Sequence, residues 1–169
     1  MTDRRSEIPS WAFINAQIAQ QAVHTKDFAR CVRSVEQQYV LEPGSLRFIN
    51  PAYLVSLLYC LIVVPKEVWL QNGNHPVYGK IDKNWLLTLF KIERCEDALA
   101  KHPVHYVIHR LRNAVAHANF SIEDGERFAF WDQKNKSSVP FFRASISMNS
   151  LEGFLSKVGA LLANLRVSG

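Results

Sequence analysis

Apolar residues recur through the first half of the chain at intervals of three and four positions, the period of an amphipathic α-helix. The N-terminal part predicts two helices, or one bent helix, with the break near Thr25. The apolar positions are Ile8, Trp11, Ile14, Ile18 and Val23, followed by Phe28, Val32, Val35, Tyr39 and Val40. Asn50 followed by Pro51 predicts the start of a third helix, and Pro65 predicts its end.

The second half combines turns, helices and short strands. Residues 71–79 predict turns, residues 85–92 and 96–101 predict short helices, and Pro103 predicts the first turn of a longer helix. The stripe of this longer helix that we expect to face the core is Val104, Ile108, Leu111, Val115 and Ala118. Residues 120–122, 127–131 and 140–147 predict strands, and a last helix capped by Asn149 or Ser150 follows them.

Together these patterns predict a mainly α fold, a helical bundle with a small antiparallel β-sheet near the C-terminal helix. A chain of 169 residues with 48% apolar residues is large enough to bury a core. Linkers, repeats and low-complexity segments are not evident. We therefore expect one domain over residues 1–169, with a flexible leader of about residues 1–7.

Charge and cysteine content narrow the function classes. A formal charge of +5 favours an anionic partner such as RNA, although this surplus is small and dispersed. Three separated cysteines without a CxxC pair argue against a disulfide framework and a thiolate zinc site, and a reducing cytoplasm is the simplest setting. The most apolar stretch, residues 53–64, is too short to span a bilayer, so we expect no membrane association.

The polar face of the helix that begins near Pro103 has an unusual composition. Its residues are His102, His105, His109, Arg112, Asn113 and His117. A solvated face more commonly carries Lys and Glu than a row of imidazoles, so this row indicates a cleft or an interface. Histidines one turn apart are also a zinc-binding spacing, but no HExxH glutamate or thiolate accompanies them. We predict no metal and no cofactor.

Arg112, Asn113 and His117 carry the strongest chemical signal in the chain. An arginine grips a phosphate with two parallel hydrogen bonds, and a histidine exchanges a proton near neutral pH. Arg followed five positions later by His is expected about 0.4 times by chance in this composition, and requiring Asn directly after Arg lowers that to about 0.02. Arg112 and His117 lie about 140° apart around a helix, so two copies packed by two-fold symmetry would bring them to one phosphate more easily.

The run from Arg112 to His117, late in a helical stretch, resembles the Arg-polar-x-x-x-His signature of the HEPN superfamily. The resemblance extends over about residues 111–132, and stand-alone HEPN proteins of bacteria and plasmids are the most similar type. HEPN proteins are small helical bundles and often ribonucleases that act as dimers. The resemblance thus implies an endoribonuclease, a homodimer, a toxin or defence role and an antitoxin or other regulatory partner.

The resemblance also implies roles for individual residues. Arg112 would hold the scissile phosphate, His117 would act as general base or acid, and Asn113 would orient the site. His109 and Arg110 are secondary candidates for substrate binding, because His109 lies one turn before Asn113 and Arg110 adds charge. The implied reaction is metal-independent attack by a ribose 2′-hydroxyl on the adjacent phosphate, which requires RNA.

One position departs from the family, and one alternative function stays open. In HEPN toxins controlled by a nucleotidyltransferase, a tyrosine two positions after the motif histidine receives the nucleotide, whereas this chain has Asn119 there. This difference argues against the same regulation. The alternative function is a catalytically inactive HEPN-like module that binds RNA, a nucleotide or another protein.

Overall fold

The N-terminal half folds into helices whose ends follow local capping signals. The computed structural model describes residues 7–68, 75–96, 98–124, 126–135 and 138–167, so the predicted leader lies outside it except for Glu7. The helices are α1 (Ile8–Ala22), α2 (Lys26–Gln38), α3 (Pro51–Leu58) and α4 (Val64–Val68), with a π-helical turn over Tyr59–Val63. Thr25 separates α1 from α2 because its side chain accepts the Phe28 N–H at 3.2 Å, an N-cap.

The prediction that Pro65 ends the third helix is wrong. Asn50 caps α3 as predicted, but the chain remains helical to Val68 by passing through the π turn. Within this turn the Val64 N–H bonds to the carbonyl of Tyr59, five positions back. Proline lacks an N–H, and its ring clashes with the carbonyl four positions earlier in a regular α-helix. The wider π turn removes that clash, so Pro65 alters the helix without ending it.

The second half contains further helices and one sheet. Pro76–Lys80 forms a 3₁₀ turn, and the helices are α5 (Lys83–Leu89), α6 (Ala98–Lys101), α7 (Pro103–Ala116) and α8 (Met148–Val167). The strands are β1 (Lys91–Arg94), β2 (Phe120–Glu123), β3 (Arg127–Asp132) and β4 (Phe142–Ser147). They form an antiparallel sheet in the order β1-β4-β3-β2. The prediction of a mainly α fold with a small antiparallel sheet near the C-terminal helix is confirmed.

Strand β1 corrects the prediction of a helix over residues 85–92. Helix α5 ends at Leu89, and Ile92 instead pairs with Ala144 of β4. Buried Phe90 turns the chain between the two elements and packs edge-on against Phe154. A run of apolar residues this short fits both the helical and the strand period. Its pairing partner lies about fifty residues away in sequence, so the tertiary contact with β4 determines that it forms a strand.

Helix α8 begins earlier than the sequence predicted. It starts at Met148, directly after β4, and the Ser147 hydroxyl accepts the Ser150 N–H at 3.2 Å. Ser147 is therefore the capping residue, and the prediction of Asn149 or Ser150 is wrong. Ser147 is also the last residue of β4, so in the sequence it belongs to the alternating pattern of the strand and is not recognised as a helix cap.

The core lies between the sheet, α7, α8 and the α3–α4 segment. The largest fully buried side chains include Phe128, Phe130, Phe142 and Phe154. Four of the five predicted core residues of α7 are buried, whereas Ala118 is exposed because the helix has already ended. None of the helices in the described residues is long and apolar enough to cross a membrane.

Helix α1 packs on α8 through a close approach at a glycine. A Cβ built on Gly159 would lie 2.5 Å from Cδ2 of Phe13, so only glycine lets the ring sit this close. The opposite face of α1 exposes Trp11, Ile14 and Ile18. The apolar series predicted for α1 is thus helical, but three of its members point away from the core.

Candidate active site

Helix α7 carries the motif and ends with a Schellman turn. The Ala118 N–H bonds to the Val115 carbonyl at 3.1 Å, and the Asn119 N–H bonds to the Ala114 carbonyl at 2.7 Å. Ala118 adopts a left-handed conformation with φ of 53°, the position where glycine is usual. His117 is the C-cap residue and is exposed, so it follows the last helical residue and projects from the helix end.

Arg112 and Asn113 are joined to a buried carboxylate. The Arg112 Nη1 donates to Asn113 Oδ1 at 3.0 Å, and Asn113 Nδ2 donates to Asp132 Oδ2 at 2.9 Å. Asp132 ends strand β3 and is 5% exposed. The sheet therefore fixes the Asn113 amide, and the amide oxygen in turn orients the guanidinium. Two predicted site residues are thus bonded to each other, and a third residue, Asp132, which was not predicted from the sequence, holds them in place.

Arg110, predicted to bind substrate, already bonds two carboxylates. Its Nη1 donates to Asp132 Oδ2 at 2.8 Å and its Nη2 pairs with Glu96. The guanidinium also lies 5.0 Å from the ring centroid of Tyr106 and 5.3 Å from that of Phe141. Burial lowers the pKa of Arg110, but the hydrogen bond to Asp132 and nearby negative charge raise it overall. These contacts give Arg110 a supporting position behind Asp132.

His109, the other predicted substrate-binding residue, lies half-buried beside the network. Its Nε2 is 3.4 Å from Asn113 Nδ2, and its Nδ1 is buried without a hydrogen-bond partner among the described residues. Burial lowers the pKa of His109, and the charges of Lys66 and Arg110 lower it further, against the opposing effect of Asp132. These effects favour the neutral ring, which can accept a hydrogen bond.

Lys66 adds positive charge to the same face of α7. It lies in α4, directly after the π turn, and is 8% exposed. Burial lowers the pKa of Lys66, and the positive charge of Arg112 lowers it further. Lys66 in turn lowers the pKa of both His105 and His109. A π turn is often found at functional sites, and here it places a cation beside the motif helix.

Asp132 and Lys66 were not predicted from the sequence, for different reasons. An acid at the end of the aromatic strand Arg127–Asp132 is a detectable signal, because buried acids are rare unless they are paired. Lys66 carried no such signal, because Pro65 marked the expected end of its helix. The part of the chain that the structure describes contains no group of three or more His, Cys, Asp or Glu side chains that could hold a metal ion.

Comparison with known proteins identifies the family. A family model described as HEPN pEK499 p136 matches residues 5–167 of the chain. The chain belongs to this HEPN family. Curated proteins and solved structures gave no significant match.

The HEPN match is much longer than the segment that carried the resemblance. The N-terminal half resembles HEPN proteins only in its helical character, whereas the family match includes α1 to α4. In this HEPN chain, Asn119 bonds through its backbone to β3, since its carbonyl accepts the Trp131 N–H at 3.0 Å. The residue two positions after the motif histidine thus joins the end of the motif helix to the strand that holds Asp132.

Proposed function

We propose that this HEPN protein is a metal-independent endoribonuclease. The observation that carries the proposal is the chain of contacts from buried Asp132 through Asn113 to Arg112, on the same helix whose end presents an exposed His117. A guanidinium oriented in this way suits a phosphate, and an exposed imidazole suits proton transfer. The family membership supports the same reaction, because HEPN proteins are often ribonucleases.

The reaction would proceed by transesterification. A base removes the proton of the ribose 2′-hydroxyl, the 2′-oxygen bonds to phosphorus, and the 5′-oxygen leaves with a proton supplied by an acid. His117 serves as base or acid, and Arg112 stabilises the charge that accumulates on the phosphate oxygens. The products are a 2′,3′-cyclic phosphate and a 5′-hydroxyl. DNA has no 2′-hydroxyl and is therefore not cut.

A homodimer is part of this proposal. The reaction needs a base and an acid on opposite sides of the phosphorus, and each chain supplies one motif histidine. Two copies related by a two-fold axis would supply a pair of His117 side chains and a pair of Arg112 guanidinium groups. A monomer by light scattering across micromolar concentrations, with full cleavage activity, contradicts the shared site.

The activity test is cleavage of labelled RNA in EDTA by wild type and by His117→Ala and Arg112→Ala. We expect wild type to cut RNA, and each variant to lose at least about 10²-fold in rate. His24→Ala is the matched control, because His24 is an exposed histidine between α1 and α2 and should leave the rate unchanged. Circular dichroism and light scattering establish that each variant keeps its fold and assembly.

Three results would contradict parts of this proposal. Wild type that binds RNA and does not cut it contradicts catalysis as a whole. Turnover retained in His117→Ala or Arg112→Ala removes that residue from the mechanism. Cleavage that stops with EDTA and returns with added metal contradicts the metal-independent chemistry.

The second candidate function is a catalytically inactive HEPN module that binds RNA, a nucleotide or another protein. The observation in its favour is that Arg110 and Asn113 are both engaged with Asp132, as in a network that only supports structure.

For the active enzyme we propose a toxin or defence role in the cytoplasm, restrained by an antitoxin or other regulatory partner. An unregulated ribonuclease would degrade the RNA of its own cell.

A further inference from the structure

A basic cavity lies at the N-terminal end of the motif helix, opposite the end that carries His117. It is an open cavity of about 430 Å³ beside the N-terminus of α7. Lys83, Lys101, His102 and His105 contribute its basic side chains. Asp82 is the one acid among the described residues that line it, and this carboxylate accepts the Trp85 N–H at 2.6 Å as the cap of α5. The cavity therefore has a surplus of positive charge and an acid already committed to the fold.

The cavity is continuous with the motif face of α7. His105, His109 and Arg112 follow one another at intervals of four and three positions, which places them within about 60° around the helix. The rings of His105 and His109 stack with centroids 5.9 Å apart, and His109 approaches Asn113. One row of side chains thus leads from the cavity to the candidate active site.

The length of this row sets the spacing of the two sites. Arg112 lies ten positions after His102, which lines the cavity, and this spacing corresponds to about 15 Å along a helix axis. A single phosphate cannot occupy both ends of such a row. Two phosphates of one extended strand can, and positively charged grooves follow single-stranded nucleic acids in this way.

We propose that the cavity at the N-terminus of α7 is a second phosphodiester-binding subsite for single-stranded RNA. Lys83 and Lys101 pair with a backbone phosphate there while Arg112 holds the scissile phosphate of the same strand. The identity of the strand as substrate rests on the proposed ribonuclease function. Phosphate contacts of this kind add affinity and register without reading the base sequence.

The test is binding of 2′-O-methyl RNA, which cannot be cleaved by 2′-hydroxyl attack, so cleavage does not enter the measurement. Fluorescence anisotropy gives the Kd of a labelled octamer for wild type and for the double variant Lys83→Gln with Lys101→Gln, at several salt concentrations. We expect several-fold weaker binding, and a salt dependence of log Kd that is smaller by about 0.7, because the contact with one phosphate of a single strand is lost. In an NMR titration with a dinucleotide, which has one phosphodiester, the shifts at Arg112 should be the same in the double variant as in wild type.

The control removes the same charge elsewhere. Lys26 in α2 and Lys91 in β1 are exposed and do not line the cavity, so Lys26→Gln with Lys91→Gln should bind the octamer like wild type. Equal weakening in the control, unchanged octamer binding in the Lys83 and Lys101 variant, or wild type that does not bind the octamer overturns the subsite. Wild type that binds through the cavity but cuts no RNA overturns only the proposed enzyme function.

Discussion

Replacement of Asp132 by Asn tests whether the buried carboxylate positions the candidate site. Asp132 Oδ2 accepts hydrogen bonds from Arg110 at 2.8 Å and from Asn113 at 2.9 Å. Asparagine keeps the volume and one acceptor oxygen but removes the charge. The Asn113 amide would then donate to a neutral and weaker acceptor, so its oxygen would be held less firmly in the position that orients the Arg112 guanidinium.

The magnitude follows from the two bonds at one oxygen. Hydrogen bonds to a charged group contribute about 1.5–3 kcal/mol and neutral ones about 0.5–1.5 kcal/mol, so the change in both costs about 2 kcal/mol of stability. For a chain of this length this corresponds to a fall of about 4–8 °C in Tm. A misplacement of about 1 Å in a reacting group costs about 10²-fold in rate, so we expect kcat to fall by about 10-fold to 10²-fold.

The assay combines thermal unfolding with RNA cleavage. Asp124→Asn is the matched control, because Asp124 is an exposed acid in the turn between β2 and β3. It should leave both Tm and kcat unchanged. If Asp132 acts through Asn113, then Asp132→Asn adds little to the kcat loss already caused by Asn113→Ala. Wild-type kcat in Asp132→Asn, or fully additive losses in the double variant, would refute the positioning role.

Three further predictions concern stability. Ala118→Gly should raise the free energy of unfolding by about 1 kcal/mol, because Ala118 has a left-handed φ that glycine adopts without strain. Ala116→Gly within α7 should lower it by about 1 kcal/mol. Urea unfolding that shows the same sign for both variants would contradict this prediction. Gly159→Ala should destabilise the protein by about 1–3 kcal/mol, because the added Cβ would clash with the ring of Phe13 in α1. Gly153→Ala on the same helix has open space around its Cβ and should stabilise the protein by up to about 1 kcal/mol. Equal effects of the two variants in urea unfolding would rule out the clash. The pKa of His109 lies below its ordinary value in the folded protein, so the unfolded chain binds the proton first and stability should fall as pH drops from about 6.5 towards the folded pKa. His109→Gln should reduce that slope, and an unchanged slope would contradict the shift.

The sequence predicted most helices because their signals are local. Thr25 and the Asn50 and Pro51 pair set helix starts through bonds to the next turn, and such bonds are visible in the sequence. Strand β1 was missed because its partner β4 is distant along the chain. The continuation of the helix past Pro65 was missed because it depends on a π turn, which has no simple sequence pattern.

The candidate site was predictable only in part. Arg112, Asn113 and His117 stand out because they lie close together in sequence and match a known signature. Asp132 and Lys66 meet them from β3 and α4, and only the packing of these elements on α7 brings the charges together. Residues that support a site from other elements rarely share a motif with it, so a single sequence does not select them.

The chemical nature of the RNA ends tests the central claim most directly. Labelled RNA is incubated with wild-type protein in EDTA, and the new ends are identified by mass spectrometry. The proposed mechanism predicts 2′,3′-cyclic phosphates and 5′-hydroxyls, and their absence with His117→Ala. Intact RNA, or 5′-phosphates formed only when metal is added, would contradict the account.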